Sequence, residues 1–179
     1  MRHRLFVAIR LPEAIIDALL DLEGGIDGAR WQDEGQLHLT LRFVGEIEAW
    51  QAEDLSEALA SVHCDPFDLA LRGVGHFESR GRPHTLWAGL APSAPLAALE
   101  RRVDSACRRA ALPPESRKFS PHITLARLNA ASGPLLPFLQ AHGTLASPPW
   151  RVDTFDLMES TLRPEGAFYE TVRRYGLAG

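Results

Sequence analysis

Two short segments hold residue types that could do chemistry together. The first reads Leu37-His38-Leu39-Thr40-Leu41-Arg42-Phe43-Val44-Gly45, and the second Ser120-Pro121-His122-Ile123-Thr124-Leu125-Ala126-Arg127. Each contains His-x-Thr-x with an aliphatic residue at both x positions, and the histidines are 84 residues apart. On a β-strand alternate side chains share a face. His38, Thr40 and Arg42 then project together, away from Leu37, Leu39 and Leu41, and His122 and Thr124 project away from Ile123 and Leu125. One such segment is ordinary for the wet face of a half-buried strand. Two copies, one in each half of the chain, call for another explanation.

Displacement at phosphorus would use such a pair. The attacking and leaving oxygens lie roughly in line, so the proton acceptor and the proton donor must approach from opposite sides. Imidazole titrates near neutrality, so one ring can serve as base while the other serves as acid. Threonine hydroxyls can hydrogen-bond the non-bridging oxygens, and an arginine is expected nearby to hold the phosphate charge.

These side chains need strands to position them. The pattern predicts a strand over 4–9, then a helix opened by Pro12 and closed by Gly24 and Gly25. A strand follows over 37–44, stopped by Gly45, and then a helix over 48–62. Strands over 67–74 and 85–90 are expected to flank a turn-rich, charged segment at 73–83. The second half predicts a helix over 95–111, a strand over 123–128, a short helix over 132–139 weakened by Pro134 and Pro137, and strands over 151–159 and 168–175. Strands and helices mix without a strict βαβ rhythm, so the expected class is α+β with antiparallel sheet. No linker divides the chain, and 179 residues suit one domain or two small lobes sharing a core.

Composition narrows the function further. A formal net charge of −4 argues against a non-specific nucleic-acid coat protein, though a local anion site remains compatible with it. No apolar run is long enough to cross a bilayer, and Arg10 and Glu13 interrupt any signal-peptide core. The only cysteines, Cys64 and Cys107, cannot form a disulfide framework and suit the reducing cytoplasm. No metal is expected, since HxH, HExxH and Cys/His clusters are missing from the sequence. His76 lies in the Gly-rich segment before Phe77 and is the isolated histidine best placed for a further role. Arg101, Arg102, Arg108 and Arg109 form a basic stripe on the predicted helix 95–111, read as a solvated face.

Beyond the two motifs, the segments RLFVAIRLP, GVGHF followed by LWAGL, and LMESTLRPEGAFYETV complete a pattern that, with HLTLRFVGEI and FSPHITLAR, resembles the 2H phosphoesterases. Within them it resembles the RNA 2′,3′-cyclic phosphodiesterases, also called 2′-5′ RNA ligases. The resemblance spans nearly the whole chain. It implies a bilobal α+β fold with two antiparallel sheets facing a central cleft, helices on the outer faces and one motif in each pseudo-symmetric lobe. It implies hydrolysis of a 2′,3′-cyclic phosphate end of RNA to a 2′-phosphate, with neither metal nor nucleotide cofactor and no obligate protein partner. Carried over, His38 is the general acid toward the 3′ oxygen and His122 the base that activates water. Thr40 and Thr124 bind phosphate oxygens, and Arg127 and Phe43, each five residues after its histidine, contact substrate. Simple alternation puts Arg127 and Phe43 on the face opposite the histidines unless a bulge turns them back. Arg42, with the correct parity, is the alternative phosphate contact. Three other readings remain open: 2′-5′ ligation by the reverse reaction, a small-nucleotide cyclic phosphodiesterase, and an RNA-binding module with a vestigial site.

Overall fold

The computed structural model describes residues 1–178. The elements run β1 (Arg2–Arg10), α1 (Glu13–Leu20), β2 (Arg30–Trp31), β3 (His38–Glu48), α2 (Ala49–Leu59), β4 (Phe67–Leu69) and β5 (Leu71–Ser79). They continue with β6 (Arg82–Leu90), α3 (Ala94–Arg109), β7 (Ile123–Arg127), α4 (Leu136–His142), β8 (Trp150–Val152), β9 (Thr154–Arg163) and β10 (Gly166–Gly176). The class is α+β, as expected. The larger sheet has the order β10-β9-β1-β3-β7-β6-β5, with β2 beside β7, and β4 pairs with β8 in a sheet of two strands. Every pairing is antiparallel.

The two halves of the large sheet, β10-β9-β1-β3 and β7-β6-β5, meet at a single backbone pair, Leu39 with Ile123. The motif strands therefore touch near one point and diverge from it, which opens a cleft on one face. The other face is apolar. Leu5, Val7, Ile9, Leu39, Leu41, Ile123 and Leu125 join Leu55 and Leu59 of α2 and Leu96, Leu99 and Val103 of α3 in the main core. Each such side chain, buried, contributes about 1.5–3 kcal/mol. On the cleft face Phe6, Ala8 and Met158 form a smaller cluster with Tyr169 against it.

Several local expectations change. Residues 73–83 are not a turn-rich connection but most of the β5–β6 hairpin. Its turn is Arg80-Gly81, both at positive φ (54° and 73°), the backbone that a tight hairpin turn requires. Apart from Arg80 in the turn, the histidine and charges there (His76, Glu78 and Arg82) sit at strand positions, which in sequence look like loop. Gly45 does not stop β3. It sits at φ 85° where the register against β1 shifts, so the glycine permits a bulge and the strand continues to Glu48. The segment 151–159 splits at Asp153 between the two sheets. Pro137 lies in the first turn of α4, where its missing N–H costs nothing, so it helps to start the helix. The basic stripe on α3 is partly engaged: Arg102 donates to the His63 carbonyl, Arg109 to Ser61 Oγ, and Arg108 pairs with Asp104.

Candidate active site

β3 begins at His38, and His122 immediately precedes β7. The Leu39–Ile123 pair, continued one step each way, sets His38 across from Thr124 and Thr40 across from His122. All four point away from the buried Leu39 and Ile123. His38 donates its Nδ1 hydrogen to the Gln36 carbonyl at 2.7 Å. That bond fixes the tautomer and leaves Nε2 bare, to accept from the Thr40 hydroxyl at 2.7 Å. His122 repeats the first contact, with Nδ1 2.8 Å from the Ser120 carbonyl. In both motifs the carbonyl two residues earlier holds the ring.

Each imidazole is packed against aromatic rings. Phe6 lies 4.9 Å from His38 and Tyr169 stands edge-on at 5.3 Å. Phe77 stands edge-on to His122 at 4.7 Å. Burial pulls the His38 pKa down to about 4, against the opposing pull of the Gln36 carbonyl, and the positive fields of Arg127 and His122 add to the drop. Burial also lowers His122 from its ordinary value, opposed by the Ser120 carbonyl and aided by Arg127.

A bulge in each strand decides which neighbours join the histidines. Along β1, Val7 pairs with Arg42 and the next residue, Ala8, with Thr40, so Leu41 is skipped. Along β6, Leu86 pairs with Ala126 and Trp87 with Thr124, so Leu125 is skipped. The extra residue stands three places after the histidine in both motifs and reverses the alternation beyond it. Phe43 and Arg127 consequently turn onto the cleft face and line the cleft. Arg127 is steadied there by the Thr85 hydroxyl at 3.2 Å, and Phe43 remains 59% exposed.

The same bulge removes Arg42 from the cleft, so the alternative phosphate contact is a structural arginine. Arg42 is 8% exposed and pairs with Asp104 of α3 at 3.1 Å. It also donates to the carbonyls of Phe43 and Pro113. Asp104 accepts further from Arg108 and from the Glu115 N–H. Burial pushes the Asp104 carboxyl up, but these donors outweigh it and hold it below its usual range. The network ties the strand of the first motif to the segment that leads into the second.

The cleft encloses about 480 Å³. Arg4 and Arg117 line it with Arg127, and among the described residues no carboxylate does. The sequence reading missed Arg4, Phe6, Phe77, His84, Thr85, Arg117 and Tyr169. Phe6 was within reach, because it shares parity with Ala8 opposite Leu5 and Val7 in β1. Phe77 and Tyr169 lie in the segments GVGHF and LMESTLRPEGAFYETV, which carry the resemblance but have no His-x-Thr-x pattern to assign them a role. His76 lines a different cavity and sits 3.5 Å from Glu78. Among the described residues no group of three or more His, Cys, Asp or Glu side chains could hold a metal ion, and no helix is long and apolar enough to cross a membrane.

Known proteins resemble this chain over most of its length. The RNA 2′,3′-cyclic phosphodiesterase of Thermus thermophilus is 32% identical over 98% of this chain and 91% of its own length. That of Geobacillus stearothermophilus is 32% identical over 99% of this chain, which spans only 58% of that relative. The crystal structure of E. coli LigT complexed with 3′-AMP superposes with a TM-score of 0.79 at 25% identity, covering all of both chains. The family model for the 2′-5′ RNA ligase superfamily matches residues 26–163, and the chain belongs to that superfamily.

Proposed function

We propose that this protein hydrolyses the 2′,3′-cyclic phosphate at RNA ends to a 2′-phosphomonoester, with His38 as general acid and His122 as general base and without a metal. The observation that carries this reading is the repeated geometry of the two rings. Each donates Nδ1–H to the carbonyl two residues earlier and so keeps Nε2 for chemistry, on opposite strands of one cleft. The names of the relatives support the reaction class, and the nucleotide in the E. coli LigT structure supports a ribose phosphate as occupant. The matched bulges support a single domain of two pseudo-symmetric lobes, each contributing one motif.

In the step itself, the bare Nε2 of neutral His122 takes a proton from water as its oxygen attacks phosphorus. The bond from phosphorus to the 3′ oxygen breaks, and that oxygen takes the proton from Nε2 of protonated His38. Thr40 and Thr124 hydrogen-bond the non-bridging oxygens, and Arg127 balances the charge that grows on them. His38 is hard to protonate in the free protein. A bound phosphate anion offsets the Arg127 field and raises its proton affinity, so the acid is charged when substrate arrives. Phe43 offers an exposed aromatic face at the rim for a base or ribose.

Ligation to a 5′-hydroxyl is the same chemistry with an alcohol in place of water, and water's concentration favours hydrolysis. The test is to incubate the protein with RNA ending in a 2′,3′-cyclic phosphate, and separately with a mononucleotide cyclic phosphate, and to identify the products. Opening of the RNA end supports the proposal. Turnover of the mononucleotide alone makes the enzyme a small-nucleotide phosphodiesterase, and binding without turnover makes it an RNA-binding module.

A further inference from the structure

Gln36 makes three contacts that no other residue near the cleft combines. Its backbone carbonyl accepts from Nδ1 of His38 at 2.7 Å. Its side-chain oxygen accepts from the Asp33 N–H at 3.0 Å. Its side-chain amide donates to the carbonyl of Ala167 at 2.9 Å, across 131 residues of sequence. Ala167 belongs to the hairpin of β9 and β10, and Ser160, Leu162, Ala167 and Tyr169 of that hairpin line the cleft. Gly166, at φ 127°, brings the hairpin tip close: a Cβ there would stand 3.4 Å from the Gln36 amide nitrogen.

We infer that Gln36 is a positioning residue that locks the β9–β10 hairpin, one wall of the cleft, to the backbone that orients His38. The hairpin needs such a tie. Its tip is a two-residue turn between Arg163 and Gly166, with Leu162 76% exposed and Phe168 37% exposed, so little apolar burial holds it. The same hairpin carries Tyr169, whose ring stands edge-on to His38. A wall that swings outward would widen the substrate site and let water reach the imidazole. The second motif has no equivalent: the Ser120 carbonyl holds His122, but among the described residues the Ser120 side chain makes no hydrogen bond to another element. The coupling therefore acts on one of the two histidines. The titratable groups facing His38 are Tyr169 on the hairpin and His122 and Arg127 on the other half of the sheet.

Gln36→Met keeps length and leaves the backbone carbonyl in place while removing both side-chain bonds. Loss of such a bond predicts a rise in KM of roughly three- to tenfold with a smaller change in kcat. It also predicts a His38 ring titration, followed by NMR, displaced upward from wild type while that of His122 stays put. Gln36→Glu retains the acceptor for Asp33 but sets an oxygen against the Ala167 carbonyl, so its KM should rise at least as far. The kinetic arm rests on the cyclic phosphodiesterase reading, whereas the NMR arm does not. Wild-type protein inactive on cyclic phosphate ends overturns that reading and leaves the coupling to be decided by the titration. Wild-type KM and an unmoved His38 titration in Gln36→Met overturn the coupling, as does wild-type behaviour in Gln36→Glu.

Discussion

Leu39 faces Ile123 at the one backbone pair that joins β3 to β7, and each lies directly after a motif histidine. Both are fully buried, so the contact that closes the core also sets the spacing of the two imidazoles. In-line displacement needs a donor and an acceptor on opposite sides of one phosphorus atom. An antiparallel pair in this register supplies that, with each histidine diagonal to the other and a threonine beside each.

Replacing His38 or His122 by alanine should lower turnover by about 10²- to 10⁴-fold, the range for one general acid or base. The double variant should be little worse than either single, because the two act as a unit. Steady-state kinetics on RNA with a cyclic phosphate end checks this, with circular dichroism to establish that the strands remain folded.

The pH profile follows from the lowered pKa of both rings. The productive free protein has one proton on the pair. Burial places His38 at about 4 and His122 below 6.5, so kcat/KM should peak on the acid side of pH 6.5 and fall above it. The kcat profile, which reports the complex, should lie at higher pH because the phosphate raises both affinities for protons. Arg127→Gln removes a field that depresses both groups and should shift the kcat/KM profile upward. A kcat/KM that climbs steadily through pH 8 contradicts this account.

Stability carries the same signature. The unfolded chain protonates His38 near 6.5 and the folded chain only near 4, so the unfolded state binds more protons between those values. Stability should therefore fall as pH drops from 6.5 toward 4. Melting temperatures across that window should decline less in His38→Ala than in wild type, and inorganic phosphate should raise them in wild type.

Arg42 and Arg127 should part company. Arg42→Met strips one partner from buried Asp104 and should cost up to about 3 kcal/mol of stability, the low end for a broken buried pair because Arg108 remains. Its KM should change little, because the side chain never reaches the cleft. Arg127→Gln should leave the melting temperature nearly unchanged and lower kcat. Denaturant unfolding and kinetics on both variants separate the two roles.

The His and Thr positions were legible because alternation along a strand is a local property, and two copies of the pattern made it specific. The fates of Arg42, Phe43 and Arg127 were not, because each turned on one skipped residue, Leu41 or Leu125, that exists only in the pairing with β1 or β6. Strand parity holds up to the bulge and inverts after it. The β5–β6 hairpin was hidden for a related reason, since an edge strand with a wet face carries the charges of a loop. Tyr169 and Phe77 reach the histidines through tertiary packing, on which alternation along a strand is silent even though both lie in segments that carry the resemblance.

The most direct measurement of the central claim is phosphorus NMR of RNA bearing a 2′,3′-cyclic phosphate, incubated with the protein in excess EDTA. Wild type should convert the cyclic resonance to one 2′-phosphomonoester resonance at a rate that EDTA does not change, and His38→Ala and His122→Ala should leave it almost untouched. Loss of conversion in EDTA, a mixture of 2′- and 3′-phosphates, or near-full activity in either histidine variant would contradict it.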